Sequence, residues 1–252
     1  MRLYEKEKRM KEACPDREFI CFDEIDSTNT YLKANISPSM PVVVADRQLA
    51  GRGRQGRSFF SEGGVYFSVP YTLNSDDKYI PFLTLAAGLA VNRAINEQCG
   101  AHTLIKWPND IYLDSRKICG ILCESVVSGN TVTVIVGIGI NTGKAAFPEE
   151  ISSRALSLAD ASFEVDPERL VCSTVNGLDG FVYGDKITSA DSPEIDRVVD
   201  ELNRLSYTVG RRVIYNGDEY TAVRIERDGA LILASDGGAQ VRAVWGEVNI
   251  SQ

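Results

Sequence analysis

A short loop of alternating glycine and arginine is the segment of this sequence best suited to chemistry. It reads Gly51-Arg-Gly-Arg-Gln-Gly-Arg57. Glycines let backbone N–H groups approach an anion closely, and guanidinium groups bind a carboxylate or phosphate through paired hydrogen bonds. The order of residues matches neither the Gly-x-x-x-x-Gly-Lys-Ser/Thr phosphate loop nor the dinucleotide fingerprint. The pattern predicts an anion-binding loop, and the alternative is a flexible loop that contacts RNA or solvent.

A second group of polar side chains lies in Lys106-Trp-Pro-Asn-Asp110. It combines a cation for phosphates, an amide for orientation, and a carboxylate that could hold Mg²⁺ or an incoming amine. These are the groups that phosphoryl chemistry requires. The alternative is that Pro108-Asn109-Asp110 is a simple β-turn.

Two further positions could belong to the same site. Lys117 begins the apolar run that ends at Leu122, in which Gly120 would permit close approach of a ligand. The alternative for Lys117 is a solvated charge. Gly137-Ile-Gly-Ile-Asn141 ends a predicted strand with two glycines and an amide, and it could face an adenine or mark a tight bend.

Predicted strands and helices must position these groups. After a polar leader, strands are expected at 19–22, 41–45 and 65–69, and the glycine-arginine loop connects the last two. Oxygen side chains in Asp26-Ser-Thr-Asn-Thr-Tyr31 are suited to capping a helix that follows the first strand.

The rest of the chain predicts helices and two groups of strands. Apolar spacing indicates a helix from Pro81 to about Gln98, stopped by Gly100, and hairpins are expected between 104 and 140. Helical patterns follow at 167–183 and 193–205. Residues 208–250 contain four short strands separated by Asn-Gly, Asp-Gly and Gly-Gly turns, which is typical of a small β-barrel. A domain boundary is therefore expected near 206–210.

Composition excludes several classes of protein. The 252 residues are 44% hydrophobic and 25% charged, as in ordinary globular chains. A net charge of −8 argues against a protein whose main role is to coat nucleic acid. No apolar run approaches the roughly 20 residues that a membrane span needs, and the charged start lacks a signal peptide's apolar core. A single histidine and six scattered cysteines predict reduced core thiols in the cytoplasm and no zinc site.

Taken together, the motifs resemble those of the biotin protein ligase family. The resemblance rests on the glycine-arginine loop, Lys106-Trp-Pro-Asn-Asp110 with Arg116-Lys-Ile-Cys-Gly-Ile-Leu122, and Gly137-Ile-Gly-Ile-Asn141, in this order and spacing. Further matching pieces are Asp26-Ser-Thr-Asn29, Ala155-Leu-Ser-Leu158 and Trp245-Gly-Glu-Val248. Where relatives commonly place a tryptophan two residues after the loop, this chain has Phe59, which lacks the indole N–H.

The resemblance implies an α+β fold in two parts. Residues 1–207 would form a biotin- and ATP-binding catalytic domain like that of lipoate ligases and class II synthetases. It would contain a mixed, largely antiparallel sheet with helices on one face. Residues 208–252 would form a C-terminal SH3-like β-barrel.

The resemblance also implies a role for each site residue. Side chains and backbone that would bind biotin are Ser27, Thr28, Asn29, Gln48, Gly51, Arg52, Gly53, Tyr66, Lys117 and Gly120. Those that would bind ATP are Arg54, Arg57, Lys106, Asn109, Asp110 and Asn141. The expected catalytic residues are Lys117, Arg54, Arg57 and Asp110. Ser27 and Thr28 could otherwise be helix caps only.

In this family biotin and ATP form biotinyl-5′-AMP, and biotin then passes to a lysine of a biotin carboxyl carrier domain, such as that of acetyl-CoA carboxylase. Mg²⁺ is expected with ATP rather than in a dedicated protein cage. The residues before the first strand are too few for the helix-turn-helix domain of some relatives, so no DNA binding or repression is expected. Membrane association is not expected, and a homodimer is left open. Competing hypotheses are a lipoate or octanoate ligase or transferase, and a non-catalytic RNA- or protein-binding module.

Overall fold

A seven-stranded sheet is the frame of the molecule. A computed structural model describes residues 3–75, 80–187, 192–244 and 246–251. The strands of this sheet are β1 (Phe19–Ile25), β2 (Val42–Gln48), β3 (Val65–Asn74), β4 (Leu104–Lys106), β5 (Asp110–Leu113), β6 (Arg116–Ser128) and β7 (Thr131–Ile140). Their order is β1-β2-β3-β7-β6-β5-β4, in which only β1 and β2 are parallel. The predicted mixed and largely antiparallel α+β sheet is confirmed.

Six α-helices accompany the strands in the described residues. They are α1 (Leu3–Ala13), α2 (Thr28–Ala34), α3 (Leu83–Cys99), α4 (Glu149–Ser152), α5 (Pro167–Asp179) and α6 (Ile195–Arg204). Helix α3 ends where Gly100 adopts the left-handed region at φ 71°. Short 3₁₀ turns occupy Arg54–Gly56 and Ile80–Phe82, and a π-helical turn at Gly180–Gly184 extends α5. None of the described helices is both long and apolar enough to cross a bilayer.

Helices cover both faces of the sheet, so the expectation of helices on one face only was wrong. Val42 and Val44 of β2 belong to the main core with α1, α3 and α5. Val43 points the other way and packs with Leu32 of α2 and Ile135 of β7. The valine run of β2 is buried on both sides, and each side needs its own cover.

The segment that forms helix α1 was described from the sequence only as a polar leader, and no helix was predicted there. Its sequence is mostly charged, but Met10 is buried in the main core and Lys6 is buried beside Asp46, with which it forms an ion pair. Glu7 Oε1 accepts the backbone N–H of Cys21 at 2.8 Å, on edge strand β1. The helix is therefore held by tertiary contacts that an amphipathic pattern does not reveal.

A second, smaller sheet follows near the predicted boundary. Its strands are β8 (Arg212–Tyr215), β9 (Asp218–Ile225), β10 (Leu231–Ala234), β11 (Gln240–Ala243) and β12 (Asn249–Ile250), in the order β11-β10-β9-β8-β12 and antiparallel throughout. Within the part of the chain that the structure describes, β11 and β12 form no ladder with each other. The sheet is therefore open, and the predicted closed barrel is not confirmed.

The two sheets are joined by backbone pairing at the predicted boundary. Ile105 of β4 donates its N–H to Leu205 O at 2.8 Å and accepts the N–H of Tyr207 at 2.8 Å. Thr208 Oγ1 then accepts the N–H of Trp107 at 3.0 Å. The connecting segment thus covers the β4 edge of the first sheet, and the division into domains 1–207 and 208–252 stays a prediction.

Candidate active site

A cleft lies over the middle of the large sheet, where β6 and β7 are paired. It encloses about 950 Å³ of non-atom space, its open mouth included. The predicted site residues that line it come from the end of β2, α2 with its N-cap, the glycine-arginine loop, the β4–β5 turn and β6. They are Ser27, Thr28, Asn29, Gln48, Arg52, Gly53, Arg54, Arg57, Lys106, Asn109, Asp110, Lys117 and Gly120. The fold brings most of the predicted site together in one place.

Three predicted site residues lie behind the cleft wall. Gly51 is at the base of the loop, where a Cβ would meet Ser61 Oγ at 2.5 Å. Tyr66 is fully buried, with its ring centroid 6.4 Å from that of Phe59. Asn141 is buried and donates from Nδ2 to Leu156 O at 3.0 Å. A ligand could contact these three residues directly only if the wall moved. Otherwise they would affect the ligand only through the neighbouring residues that line the cleft.

The floor of the cleft is made of glycine and one aromatic ring. Gly120 of β6 and Gly139 of β7 are register partners, and a Cβ on either would lie 2.7 Å from the Phe59 ring. Any larger residue would push the ring into the cleft. Gly120 was expected to admit a ligand, and in this structure it admits Phe59.

The end of the cleft under α2 is polar and closely hydrogen-bonded. Ser27 caps α2, and its Oγ accepts the N–H of Thr30 at 3.4 Å. Gln48 Oε1 accepts the N–H of Thr28 at 3.0 Å, and Gln48 Nε2 donates to Ser61 Oγ at 3.2 Å. Ser27 therefore caps the helix, and both Ser27 and Thr28 line the cleft.

The opposite end carries the cations. Lys117 Nζ is 2.7 Å from Asp110 Oδ1 and 5.4 Å from the centroid of Phe59. Arg54 donates to Asn109 Oδ1 at 3.3 Å. Asn109 is itself fixed to β6, because its Nδ2 donates to Ile121 O at 2.9 Å and its backbone O accepts the Ile121 N–H at 2.9 Å. The Lys106-to-Asp110 turn is therefore rigid, and it presents its polar groups to the cleft.

The backbone beneath Lys117 is held by the segment that begins at Ala155. Lys117 N donates to Arg154 O at 2.8 Å, and Lys117 O accepts the N–H of Leu156 at 2.9 Å. The N–H of Leu158 donates to Asn141 O at 2.9 Å. The Ala155-Leu-Ser-Leu158 motif thus supports two predicted site residues without lining the cleft.

The glycine-arginine loop folds back on itself as a tight turn. Gly53 N donates to Arg57 O at 2.7 Å, and Phe59 N donates to Gly51 O at 2.9 Å. Gln55 and Gly56 occupy the left-handed region at φ 56° and 73°. The turn presents three arginines, of which Arg52 and Arg57 are exposed and Arg54 is half-buried.

Glu247 lines the cleft from the C-terminal part of the chain, although it was not among the predicted site residues. Its carboxylate accepts two hydrogen bonds from Arg57, at 2.5 and 3.2 Å. Arg57, with further help from Lys106 and Arg54, holds the pKa of Glu247 below its ordinary value although burial opposes this, and the same pair raises the pKa of Arg57. Glu247 belongs to the Trp245-to-Val248 motif, which was the available signal, and Trp245 itself lies outside the described residues.

Two more polar residues behind the cleft were not predicted. Ser68 on β3 is fully buried next to Thr28 and Asn29, and Glu124 on β6 accepts from Asn29 Nδ2 at 2.8 Å. Burial would raise the pKa of Glu124, but hydrogen bonds from Lys33 and Asn29 and the charge of Arg52 hold it below its ordinary value. A serine or a glutamate within a predicted strand does not by itself indicate a site residue, so the sequence offered no signal for Ser68 or Glu124.

Comparison with known proteins agrees with this geometry. The model of the biotin/lipoate A/B protein ligase family matches residues 21–141. The bifunctional ligase/repressor BirA of Bacillus subtilis (strain 168) is 38% identical over 173 residues, which cover 65% of this chain and 53% of that protein. The biotin protein ligase from Aquifex aeolicus, in complex with biotin and ATP, superposes with a TM-score of 0.78 at 29% identity, covering 93% of this chain and 98% of that one.

Residues 21–141 of this chain therefore carry the domain of the biotin/lipoate A/B protein ligase family. A further family relative, BirA of Escherichia coli (strain K12), is 28% identical over 222 residues, covering 84% of this chain and 68% of that protein. The chain spans about half the length of the Bacillus subtilis relative. The family match includes α2, the glycine-arginine loop, the Lys106-to-Asp110 turn and Asn141, and it ends before the second sheet.

Proposed function

We propose that this protein is an ATP-dependent biotin protein ligase. It would form biotinyl-5′-AMP from biotin and ATP and transfer the biotin to a lysine of a carrier domain. The observation that carries the proposal is the polarity of one cleft: hydrogen-bonding groups at the α2 end, an apolar floor, and cations at the other end. Biotin has the same sequence of parts, namely a cyclic urea, an apolar ring with its chain, and a carboxylate.

The urea would lie at the α2 end. Ser27, Thr28 and Gln48 would bind its carbonyl and N–H groups, together with the backbone of Arg52. A buried urea needs matched partners, because each polar group left without one costs about 1–3 kcal/mol. Phe59 and Gly120 would face the thiophene ring and valeryl chain, with Tyr66 supporting Phe59 from below.

The cationic end would carry the first reaction. A biotin carboxylate oxygen would attack the α-phosphorus of ATP, forming the mixed anhydride while the bond to pyrophosphate breaks. Two anions must approach each other, so fixed positive charge is the main requirement and no protein nucleophile is needed. Arg54 and Lys117, which lie at this end of the cleft, would supply that charge, and Lys106 would contact the phosphates.

The second reaction is transfer to an acceptor lysine. Its amine would attack the acyl carbon, AMP would leave with the electrons of the broken acyl–phosphate bond, and the amine would lose a proton. Asp110 is our candidate to orient the amine and accept that proton, after its Lys117 contact is exchanged for ligand contacts. Relatives from Paracoccus denitrificans and Mycobacterium tuberculosis are named biotin–[acetyl-CoA-carboxylase] ligases. A biotin carboxyl carrier domain is therefore the proposed acceptor.

Mg²⁺ would enter with the nucleotide. The described residues contain no group of three or more His, Cys, Asp or Glu side chains that could hold a metal ion. Asp110 Oδ1 is buried and 2.7 Å from Lys117 Nζ, and it could supply one oxygen ligand once that contact is exchanged. Phosphates and water would supply the other oxygen ligands, and the ion would neutralise part of the phosphate charge.

A lipoate-type ligand is the rival within the family, since the matching family model includes lipoate ligases. The polar end of the cleft argues against it, because a dithiolane offers no N–H or C=O to Ser27, Thr28 and Gln48. Calorimetric titration with biotin and with lipoate distinguishes the two ligands. We expect heat with biotin only, and preferential binding of lipoate would contradict the proposal.

The activity is tested by pyrophosphate exchange. Purified protein with ATP and Mg²⁺ should exchange labelled pyrophosphate into ATP only when biotin is present, and biotinyl-AMP should accumulate without an acceptor. A non-catalytic binding module would show neither. Absence of both with correctly folded protein would end the ligase proposal.

Cytoplasmic location and absence of DNA binding belong to the same proposal. The chain has a net charge of −8, and all six cysteines are free thiols. Free thiols suit a reducing compartment such as the cytoplasm, which also supplies ATP. A negative net charge suits a role other than DNA binding. Retention on operator DNA at physiological salt would contradict the second part.

A further inference from the structure

A line of buried polar side chains lies directly behind Thr28. Ser68 Oγ is 2.7 Å from Thr28 Oγ1 and 2.6 Å from Asn29 Oδ1. Asn29 in turn contacts Glu124 and the backbone of β6. Ser68 is fully buried, and Thr28 and Asn29 are almost so. Each hydrogen in this line must therefore have a definite place, because no bulk water compensates for a wrong one.

The amide of Asn29 has one allowed orientation. Its Nδ2 lies 2.8 Å from Glu124 Oε2 and 3.2 Å from Leu122 O. A carboxylate and a backbone carbonyl can only accept, so both amide hydrogens point at them. Asn29 Oδ1 therefore faces Ser68 as an acceptor.

The orientation of Asn29 fixes the hydroxyls of Ser68 and Thr28. Ser68 has one hydrogen, and Asn29 Oδ1 must receive it. Thr28 Oγ1 must then donate to Ser68 Oγ, because two oxygens 2.7 Å apart need a hydrogen between them. Gln48 Oε1, which is 3.2 Å from Thr28 Oγ1, still receives the backbone N–H of Thr28 at 3.0 Å.

The consequence reaches the cleft. With its hydrogen committed to Ser68, Thr28 Oγ1 presents only lone pairs to a ligand. The adjacent Ser27 Oγ accepts from Thr30 N with one lone pair, and among the described residues its own hydrogen has no acceptor, so that hydrogen is free to donate to a ligand. The acceptor on Thr28 and the donor on Ser27 therefore match the N–H and the neighbouring carbonyl of a cyclic urea.

We infer that Ser68, oriented by Asn29, is a positioning residue that makes the Thr28 hydroxyl an obligate hydrogen-bond acceptor. The cleft then selects a ring N–H over a ring oxygen at this point. The inference rests on the proposed function, since biotin supplies the ring. It concerns residues behind the ligand contacts and not the contacts themselves.

The test compares biotin with its two cyclic carbamate analogues, in each of which one ureido N–H is replaced by oxygen. In the wild-type protein, the analogue with oxygen at Thr28 should bind at least about tenfold more weakly than biotin, because two acceptors face each other. Calorimetry gives both dissociation constants, and their ratio is the readout.

Two variants should abolish this selectivity. Ser68→Ala removes the acceptor that holds the Thr28 hydrogen, so the hydroxyl can turn and donate to the ring oxygen. Asn29→Leu releases the Ser68 hydrogen toward Thr28, with the same result. In both variants the ratio should fall roughly tenfold. In Ser68→Ala it should fall because the carbamate binds more tightly, which a general packing defect would not produce.

The matched control is Thr72→Val, four residues further along β3. It deletes a hydroxyl 3.3 Å from that of Thr133 and outside the cleft, so the ratio should equal that of the wild type. An unchanged ratio in Ser68→Ala would overturn the inference while leaving the ligase proposal intact. Failure of the wild-type protein to bind biotin would instead overturn the proposed function.

Discussion

Individual residues of the cleft have more than one task, and Phe59 is the clearest example. Its ring covers Gly120 and Gly139, contacts Lys117 through its face and rests against Tyr66. Phe59, where the resemblance led us to expect a tryptophan, is therefore a packing centre, which an aromatic ring of either kind can fill. What phenylalanine lacks is an indole N–H, so any hydrogen bond made there by tryptophan is absent in this chain.

Lys117→Ala should lower the rate of adenylate formation by about 10²- to 10³-fold, because one preorganised cation is removed from where charge develops. The α2 end of the cleft is untouched, so the dissociation constant for biotin should change little. Pyrophosphate exchange and calorimetry measure the two quantities.

The control for this variant is Lys11→Ala. Lys11 also pairs with a carboxylate, that of Glu18, and it does not line the cleft. Its removal should leave exchange near the wild-type rate. An equal loss of biotin affinity in Lys117→Ala would show that the role of Lys117 is misassigned.

At the scale of elements, the glycine-arginine loop is a turn between two buried strands. Its backbone closes through the Gly53–Arg57 and Phe59–Gly51 hydrogen bonds, yet Arg52 and Arg57 remain exposed. Glycine loses more conformational entropy than other residues when it is fixed, and neighbouring arginines repel each other. A bound anion offsets both costs, so ligand should stabilise the closed turn.

Biotin should therefore protect Arg52, Arg54 and Arg57 from trypsin, and biotin with ATP should protect them further. Mass spectrometry of the fragments measures cleavage at each site. Arg204 is an internal control, because it is exposed on α6 and outside the cleft. Cleavage in the loop at the same rate with and without ligands would contradict a ligand-stabilised turn.

At the scale of the whole molecule, the small sheet contributes to the site. Arg57 pairs with Glu247, and the buried Trp107 donates from its indole N–H to Gly229 O at 2.9 Å. The Lys106-to-Asp110 turn is thus held from one side by β6 and from the other by the C-terminal part. Trp107 belongs to the predicted motif, and the structure gives its side chain an anchoring contact with Gly229.

Glu247→Gln should reduce the loss of stability in acid. The depressed pKa of Glu247 in the folded state stabilises the fold above its unfolded pKa of about 4.3, and this contribution disappears as pH falls through the lower folded value. Urea unfolding between pH 7 and pH 3 measures the difference. Because Arg57 is 62% exposed and Glu247 36%, the effect should be small and weaker at high salt. A variant with the same acid profile as the wild type would contradict it.

Short-range patterns determined much of the fold and the membership of the site. The Gly100 stop of α3, the Asn-Gly and Asp-Gly turns and the strands from Leu104 to Ile140 follow from local conformational preferences that tertiary contacts do not override. The grouping of Arg54, Asn109, Asp110 and Lys117 was predicted from their motifs, and the structure places them around one cleft. Their individual roles stay predictions.

Tertiary structure alone decided the contacts between distant segments. Helix α1 has a polar sequence and is stabilised by burial of Met10 and Lys6, and α2 covers the second face of a sheet expected to have only one covered. Glu247 and Ser68 reach the site through pairings of strands far apart in the chain, and no local pattern encodes such a pairing. Whether Thr28 offers a lone pair or a hydrogen to a ligand depends on Asn29, Ser68 and Glu124 meeting behind the cleft, and this is a property of the packed fold.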